Sequence, residues 1–391
     1  MVRGDPSASG GENGGAVTAA VAIGRCELRV WRQTPAERLR KSLARAGIDT
    51  FVDETEADGY PGAMILVRAD AVLDAPVVAA LIRSPGTVFT STGPEAGIPL
   101  AVHAPAGRAA EAADLLRRGD AAPLPAGFRL AGAGELSYWH ALRKREEPYA
   151  LLLTPESLGA GEWRMFMGTY KGATDFVTKW LWPRPAFHAT KLCARLGLTP
   201  NTVTFVSLIA VILAFFAFLD GLWVAGLVAA WAMTFLDTVD GKLARITQSS
   251  SKFGNVFDHS IDLVHPPFWY VAWGLGLDGA LPDIALYWSL AVIIAGYVLQ
   301  RVLEGISIAL FKLEIHVWRP IDSLFRQVTA RRNPNLALLT VAVLLGRPDW
   351  GLVAVAIWTA LCLALHLLQL VQAYLAFRRD GALTSWMAKP L

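Results

Sequence analysis

The feature that most constrains this chain is a stretch without any charged side chain, which runs from Thr199 to Leu219. A helix of that length can span the hydrocarbon core of a bilayer, which requires about 20 mostly apolar residues. Weakly charged stretches recur downstream, at Gly221 to Leu236, Leu263 to Leu277, Ile284 to Gln300, Leu336 to Gly346 and Gly351 to Phe377. We therefore predict an α-helical polytopic membrane protein with six transmembrane helices between residues 199 and 378.

Lysine and arginine gather at alternate connections between these stretches. They are dense before the first stretch, between the second and third, between the fourth and fifth, and after the sixth. The other connections carry Asp220, then Asp278 and Asp283, and finally one arginine with one aspartate. Because positively charged connections stay on the cytosolic side, both termini are expected in the cytosol. We expect a bacterial inner-membrane protein with a cytosolic tail at residues 379–391.

A linker at residues 150–198 precedes the first transmembrane helix. Within it, Glu162 to Leu196 mixes aromatic and basic side chains. That composition is typical of an amphipathic helix lying in the lipid headgroup plane, so one interfacial helix is predicted there.

The charge balance and the cysteines exclude several classes of protein. With 36 basic and 33 acidic residues, the formal net charge is +3, too balanced for a protein that coats nucleic acid. The three cysteines lie too far apart in sequence to indicate a disulfide framework or a metal-binding motif. We expect no nucleic-acid partner.

The amino-terminal part alternates short apolar runs with helical patterns. Residues 1–15 are rich in glycine and polar side chains and are predicted to be a disordered leader. Over residues 16–149 we predict a soluble cytosolic α/β domain. Its strands are expected at Ala16 to Ile23, Gly62 to Val67 and Thr87 to Thr90, and its helices at Pro35 to Ala46 (with Thr34 as N-cap), Val77 to Ile82 and Ala109 to Leu116.

Four aspartates lie close to the ends of two predicted membrane helices. Asp237 and Asp240 are three residues apart, and Asp258 and Asp262 are four apart. On a helix these spacings share a face, so two antiparallel neighbours can direct all four carboxylates to one point. Such carboxylates repel one another unless a cation compensates them, and a divalent ion such as Mg²⁺ prefers oxygen ligands. A solvated pair at a helix end is the alternative for either pair taken alone.

Small residues and one cation accompany the carboxylates at fixed offsets. Gly241 and Ala244 lie on the face of Asp237 and Asp240, and Gly254 leaves the approach to Asp258 open, so that a substrate can come close to the backbone. Arg245 adds a guanidinium suited to a phosphate oxygen. The complete pattern is D-x2-D-G-x2-A-R-x8-G-x3-D-x3-D.

This pattern resembles, at all eight positions, the signature of the CDP-alcohol phosphotransferase (CDP-alcohol phosphatidyltransferase) family. The resemblance covers about residues 165 to 378 and includes the stretch from Gly197 to Asn201. It implies six transmembrane helices, a homodimer, and displacement of CMP from a CDP-linked donor by the hydroxyl of an alcohol acceptor at the cytosolic face. CDP-diacylglycerol is the expected donor, in phospholipid biosynthesis, with Mg²⁺ or Mn²⁺ as cofactor.

The resemblance also implies roles for single residues. Asp237, Asp240 and Asp258 would bind metal and diphosphate, and Asp262 would be the general base for the attacking hydroxyl. The three small residues, Gly241, Ala244 and Gly254, would leave room for cytidine, and Arg245 would contact phosphate.

Arg331 and Arg332 are further candidates for binding a substrate phosphate, just before the fifth predicted membrane helix. The alternative is a solvated cluster that obeys the positive-inside rule. His259, next to Asp258, is expected at the rim of the site rather than among the metal ligands.

The amino-terminal domain resembles a sugar-nucleotidyltransferase, a domain that some members of the family carry before the membrane helices. Asp70 lies where that fold would place a metal-binding aspartate. The glycine-rich triphosphate loop of that fold, L-x-A-G-x-G-x-R, is missing between Ala16 and Pro35. We therefore expect a degenerate domain that acts in scaffolding or regulation.

Three other functions compete with this interpretation. The chain could transfer a small phospho-alcohol, such as inositol phosphate, from its CDP derivative. It could be bifunctional, with an active cytidylyltransferase domain. A cation transporter using the aspartates as an ion path is a third alternative, but it gives no reason for the small residues to keep their offsets.

Overall fold

The computed structural model describes residues 17–132, 136, 138–139 and 142–388. The predicted leader at residues 1–15 lies outside the described residues. The chain divides into an amino-terminal unit, formed by residues 1–136 and 147–162, and a membrane unit, formed by residues 137–146 and 163–391.

The amino-terminal unit is built on a mixed β-sheet with the strand order β1-β2-β5-β4-β6. The outer pairs β1–β2 and β4–β6 are parallel, whereas β5 is antiparallel to both of its neighbours. In chain order the elements are β1 (Ala19–Ile23), α1 (Pro35–Arg45), α2 (Glu54–Ala57), β2 (Met64–Arg68), β3 (Ala71–Leu73), α3 (Ala75–Arg83), β4 (Thr87–Thr90), β5 (Pro99–Ala104), α4 (Ala109–Arg118) and β6 (Arg129–Ala131). The predicted α/β character of this region is confirmed.

Local sequence signals account for several of these elements. The Thr34 hydroxyl accepts a hydrogen bond from the Glu37 amide, and the Glu37 carboxylate accepts one from the Thr34 amide at 2.9 Å, which completes a capping box at α1. Buried side chains lie on both faces of the sheet, with Ile65 and Val67 on one face and Met64 and Leu66 on the other. Burial on both faces explains why strand β2 is apolar from Met64 to Val67.

The amino-terminal unit extends beyond residue 149. Strands β7 (Tyr138–Trp139) and β8 (Lys144–Arg145) pair with each other and belong to the membrane unit, whereas β9 (Ala150–Leu152) belongs to the amino-terminal unit and pairs antiparallel with β3. The boundary between the two units falls at Glu162, within α5 (Leu158–Gly168).

The segment predicted as one interfacial helix consists of three helical pieces. These are α5, a short π-helical turn at Val177–Leu181, and α6 (Pro183–Leu196). Helix α5 ends at Gly168. Shortly after it, at Gly172, an added Cβ would lie 2.2 Å from the Arg143 carbonyl oxygen. Pro183, which has no amide hydrogen, is suited to the first turn of α6.

The membrane unit continues with helices of very different length. They are α7 (Pro200–Leu219), α8 (Trp223–Ile246), α9 (Lys252–Gly276), α10 (Asp283–Phe311), α11 (Pro320–Phe325), α12 (Arg332–Leu344) and α13 (Pro348–Asp380). Among the residues that the structure describes, four helices are long and apolar enough to cross a membrane: α7, α8, α10 and α13. Helix α12 has 13 residues. At 1.5 Å per residue it is about 20 Å long, shorter than a hydrocarbon core of about 30 Å.

Close approach of backbones joins α7 to α9. A Cβ on Gly276, at the end of α9, would lie 2.0 Å from the Phe218 carbonyl oxygen. Nearby, the Trp269 indole donates a hydrogen bond to the Val211 carbonyl oxygen at 3.0 Å, and Trp273 is fully buried. The spacing of these helices is therefore set by a contact that only glycine permits.

This contact predicts the effect of a single methyl group. Gly276→Ala should lower the free energy of unfolding by about 1–3 kcal/mol, because two helix backbones must separate to accept it. Gly305→Ala is the matched control: no atom lies within 4 Å of an added Cβ there, and alanine favours the helix. Unfolding in mixed detergent micelles measures both variants, and equal losses would contradict the packing argument.

Candidate active site

Three aspartate side chains meet where α8 ends and α9 begins. Single carboxylate oxygens of Asp237, Asp240 and Asp258 all lie within 4.8 Å of one another. Oxygen atoms at such spacing can ligate one divalent cation, and hard carboxylates are the donors that Mg²⁺ and Mn²⁺ accept. The residues predicted as metal ligands are thus brought together, and their chemistry fits such an ion.

The connection between the helices places these side chains. Helix α8 ends at Ile246, and α9 begins after Ser251, whose hydroxyl accepts a hydrogen bond from the Gly254 amide at 2.9 Å. This short turn joins the end of α8 to the start of α9, and both helices pack against α7. Asp237 and Asp240 therefore face the first turns of α9, where Asp258 lies.

Thr204 on α7 holds one of the carboxylates. Its hydroxyl lies 2.5 Å from an oxygen of Asp240, and both side chains are buried. A hydroxyl bonded to an ionised carboxylate gives a strong, directional hydrogen bond. Thr204 therefore limits the orientations of Asp240. Thr204 was not predicted as a site residue from the sequence, although it lies three residues after the Gly197-to-Asn201 stretch.

Asp262 lies one turn beyond Asp258, next to a helix irregularity. Pro266 and Pro267 lack amide hydrogens, which leaves the carbonyl oxygens of Asp262 and Leu263 without their partners in the helix. The Tyr297 hydroxyl of α10 donates to the Leu263 oxygen at 2.9 Å and lies 3.4 Å from that of Asp262. The backbone that carries Asp262 is thus anchored from a neighbouring helix.

The two predicted arginines separate. The Arg332 guanidinium donates to both Asp237 and Asp262, and its side chain is 16% exposed. Arg331 contacts Glu304 instead. The alternative of a solvated basic cluster is wrong for these two side chains, because each forms an ion pair in a largely buried position.

Beside the carboxylates lies an open cavity of about 440 Å³. Its wall includes four basic side chains, Lys171, Lys242, Arg245 and Arg332, together with Asp237, Asp258 and Asp262. Lys242 lies over the Tyr170 ring, 3.2 Å from its centroid. The cavity combines a cluster of acids with a basic wall, which suits a metal-bound, phosphate-containing ligand.

A smaller notch adjoins the cavity and is lined by the predicted small residues. Gly241, Ala244 and Gly254 share it with Asn201 and the serines at 249–251. A Cβ on Gly254 would lie 2.5 Å from the Asn201 amide oxygen, and one on Gly241 would lie 3.1 Å from Arg245. Larger side chains would therefore narrow the notch or displace the arginine. His259 is exposed at the cavity rim, as expected, and its Nδ1 lies 2.8 Å from the Asn255 carbonyl oxygen.

A second group of possible ligands was not found from the sequence. Atoms of Glu304, His316 and His366 lie within 4.8 Å of one another, and both histidines are buried. Burial lowers the pKa of His316 to about 3, so that its ring is neutral at physiological pH. Glu304 is already paired with Arg301 and Arg331, which compensate its charge.

Comparison with known proteins adds independent findings. Residues 197–365 match the CDP-alcohol phosphatidyltransferase family. Over 97 residues, or 25% of the chain, the sequence is 36% identical to the archaetidylinositol phosphate synthase of Pyrococcus horikoshii. This match covers 50% of that protein, so the chain spans about half the length of this curated relative.

Two solved structures share a low overall similarity with the chain. The phosphatidylinositol phosphate synthase of Mycobacterium tuberculosis with CDP-DAG bound has a TM-score of 0.37 and 18% identity, over 48% of this chain and 94% of that one. The same protein in complex with manganese and citrate has a TM-score of 0.35 and 19% identity, over 46% and 87% of the two chains.

Proposed function

We propose that this protein, which belongs to the CDP-alcohol phosphatidyltransferase family, transfers a substituted phosphate group from a CDP-linked donor to an alcohol and releases CMP. The observation that carries the proposal is the convergence of three aspartates of the family pattern beside a cavity with a basic wall. CDP-diacylglycerol is the proposed donor, because membrane-spanning helices give a lipid-linked substrate direct access.

Asp237, Asp240 and Asp258 would hold a divalent ion, Mg²⁺ or Mn²⁺. When bound, such an ion neutralises charge on the donor diphosphate and makes CMP a better leaving group. The notch formed by Gly241, Ala244 and Gly254 would take the cytidine. Arg245, on the cavity wall, would contact a phosphate oxygen.

Asp262 is proposed as the general base. Its carboxylate takes the proton of the acceptor hydroxyl while the acceptor oxygen bonds to the donor phosphorus and the bond to the CMP oxygen breaks. Because Asp262 lies one turn from Asp258, it can reach the acceptor at the same cavity without being a ligand of the ion.

A phosphorylated acceptor, such as inositol phosphate, is a second candidate. The archaeal relative is named as an archaetidylinositol phosphate synthase, and Lys171 supplies positive charge on the cavity wall beyond Arg245. Transfer of a small phospho-alcohol from its own CDP derivative remains an alternative. A panel of CDP donors and alcohol acceptors distinguishes these reactions.

The wider arrangement is also part of the proposal. We propose six transmembrane segments, with α9 and α12 joining the four long apolar helices, in a homodimer of the bacterial inner membrane. Both termini and the cavity would face the cytosol, consistent with the basic residues at alternate connections.

The proposed reaction is tested by the release of radiolabelled CMP. EDTA should abolish it, and Mg²⁺ or Mn²⁺ should restore it. Asp258→Asn should lose metal binding and turnover together, because a ligand charge is removed. Asp262→Asn should bind metal normally and lose roughly 10²-fold or more in turnover. Undiminished CMP release in the presence of EDTA would refute the metal-dependent mechanism. Equal loss of metal binding in both variants would refute the assignment of Asp262 as the general base.

We expect the ionisation of Lys171 to make substrate binding depend on pH. Desolvation beside the cavity and, after it, the neighbouring cations Arg143 and Arg245 lower the pKa of its ammonium group to about 8. Its positive charge is therefore present below pH 8 and lost above it, so the Michaelis constant of an anionic substrate should rise between pH 7 and 9. Lys171→Arg keeps its charge over this range and should remove the rise. An identical rise in this variant would exclude Lys171 as its cause.

For the amino-terminal unit we propose a degenerate nucleotidyltransferase-like domain at residues 16–149. The Gly24 amide at the end of β1, where such a fold would cradle phosphate, donates to the Glu54 carboxylate at 2.9 Å. Asp70 is paired with Arg68 at 2.8 Å rather than free to bind metal. The Glu54 carboxylate thus occupies the position proposed for phosphate, and Arg68 neutralises the aspartate proposed for metal.

The protein should therefore release no pyrophosphate from CTP, with or without phospho-alcohols. Pyrophosphate-coupled detection on the purified full chain measures this directly. Release that disappears in Asp70→Ala would show a bifunctional enzyme and overturn the proposed degeneracy.

A further inference from the structure

Arg332 connects the two aspartate-bearing helices from a third one. It is the first residue of α12, and its two terminal nitrogens donate separately to Asp237 on α8 and to Asp262 on α9. The side chain is 16% exposed, and Asp237 is 19% exposed. One planar guanidinium thus spans a proposed metal ligand and the proposed general base.

The position of Arg332 is fixed by its neighbours along the chain. The Asn333 amide donates to Asp175 at 2.9 Å, and the Asn335 amide donates to the Tyr270 hydroxyl at 2.8 Å. Both asparagines are buried. Because these hydrogen bonds fix the first turn of α12, the Arg332 guanidinium is held beside the two aspartates.

Asp237 is a possible partner of both the metal ion and Arg332. It belongs to the group of three carboxylates that could ligate an ion, and it also pairs with Arg332. A positive guanidinium and a divalent ion repel each other in this confined place. Asp262 lies outside the group of three, so Arg332 can keep that contact whether or not an ion is present.

We propose that Arg332 is a positioning residue and not a ligand of a substrate phosphate. It compensates the aspartates in the metal-free protein, weakens the binding of the ion through its charge on Asp237, and holds the Asp262 carboxylate toward the cavity. This inference rests on the proposed function of the same site. If it holds, removing the arginine raises the affinity for the ion and lowers turnover. If the arginine only supported the fold, both would fall together.

The test measures Mn²⁺ affinity by electron paramagnetic resonance and CMP release on the full-length protein in detergent. In Arg332→Gln, loss of the positive charge should tighten Mn²⁺ binding by about tenfold or more, while loss of the contact with Asp262 should lower kcat by about tenfold or more. Arg332→Lys keeps the charge but cannot span both carboxylates, so Mn²⁺ affinity should stay near that of the unaltered protein while kcat falls. The Michaelis constants of both substrates should change little.

Arg347→Gln is the matched control. It removes an arginine that pairs with Asp349 and contacts neither group of possible metal ligands, and it should leave Mn²⁺ affinity unchanged. Unchanged or weaker Mn²⁺ binding in Arg332→Gln would overturn the compensating role, and unchanged kcat in Arg332→Lys would overturn the positioning role. A rise confined to one substrate's Michaelis constant would instead identify Arg332 as a substrate ligand. If the unaltered protein itself binds no Mn²⁺, the proposed function fails, and the inference fails with it.

Discussion

Four carboxylates concentrated where two helices meet are the constraint on which the rest of the membrane unit depends. Charges in a poorly hydrated place must be paired, and each aspartate here has a partner or can share an ion. Arg332 bridges Asp237 and Asp262, and Thr204 donates to Asp240. Helices α7 and α12 therefore have to be placed accurately beside α8 and α9.

The surrounding structure provides that accuracy with short-range contacts. Gly276 lets α9 approach α7, and Tyr297 supplies a donor near the backbone oxygens that the two prolines of α9 expose. Polar anchors at Asn333 and Asn335 hold the start of α12. A membrane interior gives little hydrophobic drive between helices, so close packing and hydrogen bonds of this kind carry more of the specificity than they do in water.

The amino-terminal unit follows a different logic. Its core is a mixed sheet with apolar side chains on both faces, and its fold does not depend on paired charges in the interior of a membrane. Around β1 and β2, the Gly24 amide donates to the Glu54 carboxylate, and Asp70 is paired with Arg68.

Much of the architecture could be predicted because its signals are local. The spacings of the four aspartates depend on the helical repeat alone, the first apolar stretch coincides with α7, and Thr34 caps α1 as its side-chain chemistry requires. The number of membrane spans was harder to predict from the sequence. Helix α12 is shorter than the hydrocarbon core of a bilayer, so its position depends on the helices packed around it.

The tertiary structure alone decided which distant side chains serve the site. Arg331 and Arg332 are adjacent and chemically identical, yet one pairs with Glu304 and the other with two aspartates. Arg331 is the extended residue that precedes α12, whereas Arg332 begins the helix, so the two side chains leave the backbone in different directions. Thr204 and Tyr297 carried no local signal, since their partners lie on other helices. The sequence by itself determined the chemical groups and their helical faces, whereas helix packing determined which charges meet, because that pairing depends on separation in space and not along the chain.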